Sequence, residues 1–177
     1  HVTNALEALG YECDATYPMY FYNEQLFPYH PSQENWTEQG SLNLIEIIQF
    51  ADMGMESKDE YGRDKDQWPL YRTQSTEALI PHIESFMSYL EKNDQSQKPI
   101  VLCFYFHPWE FWEMPEGVIH FGEGGVLPDP FLTKGCGKYC LNQVELLIDW
   151  LKSKKSSFLT AGQCARKWHK ILALQEI

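Results

Sequence analysis

Apolar residues are bunched along this chain, and the bunches follow two different periods. Ile100-Val101-Leu102-Cys103-Phe104-Tyr105-Phe106 is a continuous apolar run between Pro99 and the cluster His107-Pro108-Trp109-Glu110. A β-branched and aromatic run of this kind predicts a strand buried on both faces, as in the parallel sheets of α/β proteins. Pro108 has no N–H to give to a ladder, so the strand should stop at His107 and present an imidazole at its C-terminal edge. Catalytic groups collect at that edge in α/β sheets. Leu42 to Phe50 predicts a second buried strand with Glu46 embedded in it, and Tyr11 to Thr16 predicts a short strand whose end carries Asp14.

The other bunches recur at helical spacing. Val2, Ala5, Leu6 and Leu9, with Gly10 as a stop, predict the tail of an amphipathic helix whose beginning is expected upstream of His1. Leu79, Ile83, Phe86, Met87 and Leu90 predict a helix over Ser75 to Asn93, capped by Ser75 or Thr76, with Pro81 in its second turn. Leu141 to Lys155 predicts another, Phe158-Leu159 a stub of strand, and Thr160 the cap of a last helix reaching about Leu174. Three loops separate these elements: an aromatic one from Tyr17 to Gly40, a charged surface one from Glu56 to Gln67, and a Gly- and Pro-rich one from Trp109 to Gly137. Alternating strands and helices with long loops predict an α/β architecture.

Composition narrows the function classes. A chain of 177 residues supports one domain but is short for a complete β/α barrel. The net charge of −11 argues against nonspecific nucleic-acid binding and against an anionic membrane surface. No apolar run approaches the roughly 20 residues that span a bilayer. Five cysteines, scattered and odd in number, fit reduced thiols of a cytoplasmic protein better than a disulfide framework. That favours a cytoplasmic location over secretion, although a start at His1 leaves the compartment open.

The candidate chemistry centres on His107, a general acid or base held at a strand end. Trp109 offers an apolar wall beside it, and Glu110 can accept a hydrogen bond from the imidazole. Asp14 has two readings, a carboxylate that orients the imidazole or contacts substrate, and a turn former ahead of Thr16 and Pro18. Glu46, expensive to bury unpaired, either reaches a polar site or meets a basic partner. Cys136-Gly137-Lys138-Tyr139-Cys140 has the spacing of half a zinc site, but no second pair follows, and no metal ligand is assigned in the chain. Neither a Gly-x-Ser-x-Gly elbow nor a phosphate-cradling Gly loop is present.

These residues, taken in order, resemble the polysaccharide deacetylase (NodB-homology) family of carbohydrate esterases, in its His-Pro-Trp-Glu branch with the peptidoglycan-deacetylase-like and allantoinase-like enzymes. The matching stretches are Leu9-Gly10-Tyr11-Glu12-Cys13-Asp14-Ala15, Tyr29-His30-Pro31-Ser32 with Trp36 and Gly40, Asn43 to Ile47, Phe104 to Phe111, and Phe158-Leu159-Thr160-Ala161. The resemblance implies a distorted β/α barrel of about seven strands when complete. Residues 1–177 would be its C-terminal half, a single domain lacking the N-terminal metal-binding part. It further implies a metal-dependent hydrolase of non-peptide C–N bonds, acting on N-acetyl groups of a sugar or, in the allantoinase-like alternative, on a small cyclic amide. The divalent metal, zinc in many members, would be held by the missing half, and none by this chain. His107 matches the family's proton donor, and Asp14, Tyr29, Trp36, Trp109 and Glu110 would contact substrate. Partners implied are that N-terminal half, the carbohydrate or amide, and a possible second copy. Cys13, Ala15-Thr16 and Asn23-Glu24 depart from the family pattern, which leaves the substrate open. A non-catalytic carbohydrate-binding module is the rival reading, since the metal motifs are absent.

Overall fold

The Leu42–Phe50 run is buried as its composition demands: Leu42, Leu44, Ile45, Glu46, Ile47, Ile48 and Phe50 are each at most 3% exposed. Its hydrogen bonding is another matter. In the computed structural model, which describes residues 2–22, 25–66, 70–94, 96–115 and 117–174, only Ile45–Glu46 of this run is a strand (β2), pairing in parallel with Cys13–Asp14 (β1). Single bridges join Pro18 to Gln49 and Tyr29 to Glu46, and Phe50 N–H donates to Cys103 O at 2.8 Å. The prolines of the aromatic loop cannot donate to a ladder, so pairing along the run breaks into isolated bonds.

The expected α/β half-barrel is therefore corrected. The described residues form a mostly helical chain with two sheets of two strands each: the parallel pair β1–β2, and an antiparallel hairpin of Ile119–Phe121 (β3) and Gly124–Val126 (β4). The run that was to be the central strand, Ile100 to His107, is in no sheet, and each of its residues is only half-buried. An apolar run reports how much surface wants cover; a strand also needs neighbours with free N–H and C=O groups in register, which the sequence does not display. Phe158-Leu159 is likewise exposed and unpaired with any strand.

The helices follow their pattern more closely. Helix α1 is Val2–Ala8, and Gly10 behind it takes φ +80°, a conformation that favours glycine. Helices α2, Leu70–Thr73, and α3, Thr76–Asn93, come next; α3 runs through Pro81, and Ser75 Oγ accepts from Ala78 N–H at 3.2 Å as its cap. The Trp109–Gly137 loop holds more structure than its composition suggests: a 3-10 turn over Pro108–Phe111, the β3–β4 hairpin, and a short helix α4, Pro130–Thr133, capped by Asp129. Helix α5 is Lys138–Ser153, and α6, Ala161–Ala173, opens on a reciprocal box in which Thr160 Oγ1 accepts from Gln163 N–H and Gln163 Oε1 from Thr160 N–H. None of the described helices is long and apolar enough to cross a membrane.

The chain divides into two compact units, His1–Glu56 with Ile83–Phe104 and Ser157–Ile177, and Ser57–His82 with Tyr105–Ser156. In the first, one face of α6 (Cys164, Ala165, Trp168, Leu172) covers Ile45 and Ile47, with Cys13, Phe27, Val101 and Cys103 closing the edges. Full burial of Ile45 and Ile47 stabilises by about 1.5–3 kcal/mol each. In the second, Tyr71, Leu79, Cys140, Leu147 and Leu151 are buried, and Thr76 bonds to Gln143 through both its N–H and its hydroxyl, each at 2.6 Å.

Candidate active site

His107 precedes a proline, so its backbone is held extended, at φ −96° and ψ 134°. Pro108 opens the 3-10 turn at the position where a missing N–H costs nothing. Two residues later Glu110 points its carboxylate back: Oε2 accepts from His107 N–H at 2.7 Å and stands 3.4 Å from His107 Nδ1. The other oxygen, Oε1, accepts from Arg72 Nε at 3.0 Å, and both of these side chains are fully buried. Arg72 Nη1 in turn donates to Phe131 O at 2.9 Å and Lys134 O at 2.5 Å, carbonyls at the end of α4. The chain passes so close here that a Cβ on Gly135, which has φ +71°, would fall on the carbonyl of Arg72.

The imidazole is also held by rings. Trp109 stacks on it with centroids 5.3 Å apart and planes 29° apart, and Tyr105 meets it edge-on at 5.7 Å. The Arg72 guanidinium lies 5.4 Å from the Trp109 ring. The His107 side chain keeps 41% of its surface exposed while Glu110 behind it keeps none. The carboxylate oxygen lies within ion-pairing distance of an imidazole that stays partly open to solvent. His107, Trp109 and Glu110 are thus brought together, with the Glu110 side chain fully buried beside the imidazole. Arg72 was not foreseen: it lies 38 residues from Glu110, and no local pattern links them.

The thiols nearby are poor nucleophiles. Burial pushes the Cys140 thiol up to about 11 and the Cys136 thiol above its ordinary value, and Cys136 Sγ donates to Leu132 O at 3.4 Å. Among the described residues no three His, Cys, Asp or Glu side chains group as a metal site. The residues around His107 therefore do not fit the implied catalytic zinc ion by themselves, and no chemical step is derived through it.

Asp14, Tyr29 and Trp36 belong to the other unit. Asp14 is committed to its turn: Oδ1 accepts from Ala15 N–H at 2.8 Å and from Thr16 Oγ1 at 2.6 Å. Tyr29 OH donates to Trp36 O at 2.6 Å, which pins the aromatic loop on itself. Trp36 stacks on Tyr17 (5.0 Å, 28°), Phe21 lies 5.3 Å from Tyr17, and Tyr17 and Phe21 are 41% and 48% exposed, so rings face solvent here. Asn23 and Glu24, in the same loop, lie outside the described residues, as do Gln67, Trp68 and Pro69.

Among the described residues Glu46 meets no basic partner. It is fully buried, Oε1 accepts from Tyr22 OH at 2.5 Å, and Oε2 has no hydrogen-bond partner among the described residues. Burial, helped by the nearby charge of Asp14, pushes its carboxyl up to about 7 against the hydrogen bond from Tyr22 that favours the charged form. Tyr22, packed edge-on against Tyr29 at 6.2 Å, was read from sequence only as one loop aromatic among several.

Comparison of the chain with protein-family models, with curated proteins and with solved structures gives no match.

Proposed function

We propose that this chain carries the proton-donating part of a hydrolase of non-peptide C–N bonds, acting on N-acetyl groups of a sugar in the manner of the polysaccharide deacetylases it resembles. The observation that supports this reading is the mounting of His107: a half-exposed imidazole backed at Nδ1 by a buried carboxylate, itself paired with a buried arginine, and flanked by Trp109. In amide hydrolysis a water oxygen bonds to the acyl carbon, the C–N bond breaks, and the departing nitrogen needs a proton. His107 Nε2–H supplies it, and Glu110 steadies the imidazolium before the transfer. Trp109 shields one side of the imidazole from water.

The resemblance places water activation on a divalent metal. No three His, Cys, Asp or Glu side chains group together among the described residues, so the proposal is confined to the acid step.

A second reading, a carbohydrate-binding module without chemistry, is favoured by the solvent-facing rings of Tyr17 and Phe21, the former stacked on Trp36, which suit stacking on the apolar face of a pyranose. One experiment separates the two. Acetate release from N-acetylglucosamine oligomers, and ring opening of allantoin for the cyclic-amide alternative, are measured for the full-length protein and its His107→Ala variant. Turnover lost in the variant supports the acid role. Sugar binding without turnover in either protein supports the module and overturns the enzyme.

A further inference from the structure

We propose that His30 and His169 form a two-imidazole site for a divalent transition cation of the Ni2+, Cu2+ or Zn2+ class, tying the loop ahead of β2 to helix α6. The two residues are far apart in sequence, yet their ring centroids are 4.8 Å apart with planes inclined at 47°. That inclination is neither a parallel stack nor an edge-on contact, and the separation is within the span of two imidazoles bound to one ion through nitrogens at about 2.0–2.1 Å.

The tautomer of His30 is fixed by its surroundings. Nδ1 lies 2.8 Å from Leu42 O and 3.2 Å from Leu44 O, and a carbonyl oxygen can only accept. The hydrogen is therefore on Nδ1, and Nε2 carries the lone pair. Histidines that ligate metals are mounted in this way, with the second nitrogen donating to a backbone carbonyl that sets the ring's direction. Both rings are partly exposed, so an ion reaches them from solvent.

The nearby charges are balanced. Glu12 and Arg166, the latter one turn before His169 on α6, are paired at 2.5 Å between Glu12 Oε2 and Arg166 Nη1. The chain's net charge of −11 raises the local concentration of cations. Imidazole donors select nickel, copper and zinc over magnesium and calcium. With no third His, Cys, Asp or Glu grouped there among the described residues, water completes the ion's shell, and the ion exchanges. Such an ion would clamp the Tyr29–Ser32 segment against α6 and stabilise the fold by mass action. The site does not depend on the proposed acid role of His107, which lies in the other unit.

The test is titration of the full-length protein with NiCl2, followed by calorimetry and by paramagnetic broadening of histidine resonances, with MgCl2 as the control ion. The expected result is binding of nickel but not magnesium, with broadening centred on His30 and His169. Affinity should fall by at least about tenfold in His30→Gln and in His169→Gln, and be kept in His120→Gln. Broadening centred elsewhere, or undiminished affinity in both variants, overturns the proposal. Because the broadening is read in the unaltered protein, the test survives a variant that does not fold.

Discussion

Arg72 and Glu110 form a fully buried ion pair, Nε to Oε1 at 3.0 Å, directly beneath the one imidazole that carries the proposed chemistry. Removing one partner leaves an uncompensated buried charge. Glu110→Ala should destabilise by about 3–5 kcal/mol in urea unfolding, whereas Arg72→Met combined with Glu110→Leu should cost less than the sum of the single changes. Additive losses would show that the pair does not act as a unit.

Glu46 makes stability depend on pH in an unusual direction. Its carboxyl is raised from 4.5 to about 7 in the folded chain, so between those values the folded state binds more protons than the unfolded one. Stability from this group is complete below about pH 4.5 and declines as pH rises to about 7, after which it levels. At about 1.4 kcal/mol per pH unit the decline amounts to roughly 3 kcal/mol. Glu46→Gln, which keeps the acceptor for Tyr22 OH, should remove that slope. A difference in urea midpoint between variant and parent that does not change from pH 5 to pH 8 would refute it.

The cap of α6 gives a smaller and cleaner number. Thr160 Oγ1 accepts from Gln163 N–H at 3.2 Å, and Thr160→Ala should cost about 1 kcal/mol in thermal or urea unfolding. No measurable loss would mean that water replaces the cap.

The exposed rings predict a separation of binding from stability. Tyr17→Ala should weaken binding of N-acetylglucosamine oligomers by about 0.5–1.5 kcal/mol in calorimetry, while the unfolding midpoint stays nearly unchanged because Tyr17 is 41% exposed. Equal binding by parent and variant would remove the platform from either functional reading.

What the sequence made legible divides along physical lines. Helix signals are local: the Thr160/Gln163 box and the spacing of Leu79, Ile83, Phe86 and Leu90 lie within a few residues of each other and match α6 and α3. Asp129-Pro130 carried the same kind of signal, a cap followed by a first-turn proline, inside a segment read only as loop. Sheet pairing is not local, so the half-buried run to His107 looked like a strand with no partner to make it one. The grouping around His107 was half visible because Trp109 and Glu110 adjoin it. Arg72 was not, and neither was the gathering of Cys13, Cys103 and Cys164 around one core, since scattered positions carry no trace of contact.

The acid role of His107 is tested most directly by acetate release from N-acetylglucosamine oligomers, compared between the full-length protein and its His107→Ala variant at equal folded fraction. A fall of about 100- to 10,000-fold in kcat is expected, the usual worth of a positioned general acid. Turnover unchanged by the substitution would contradict it.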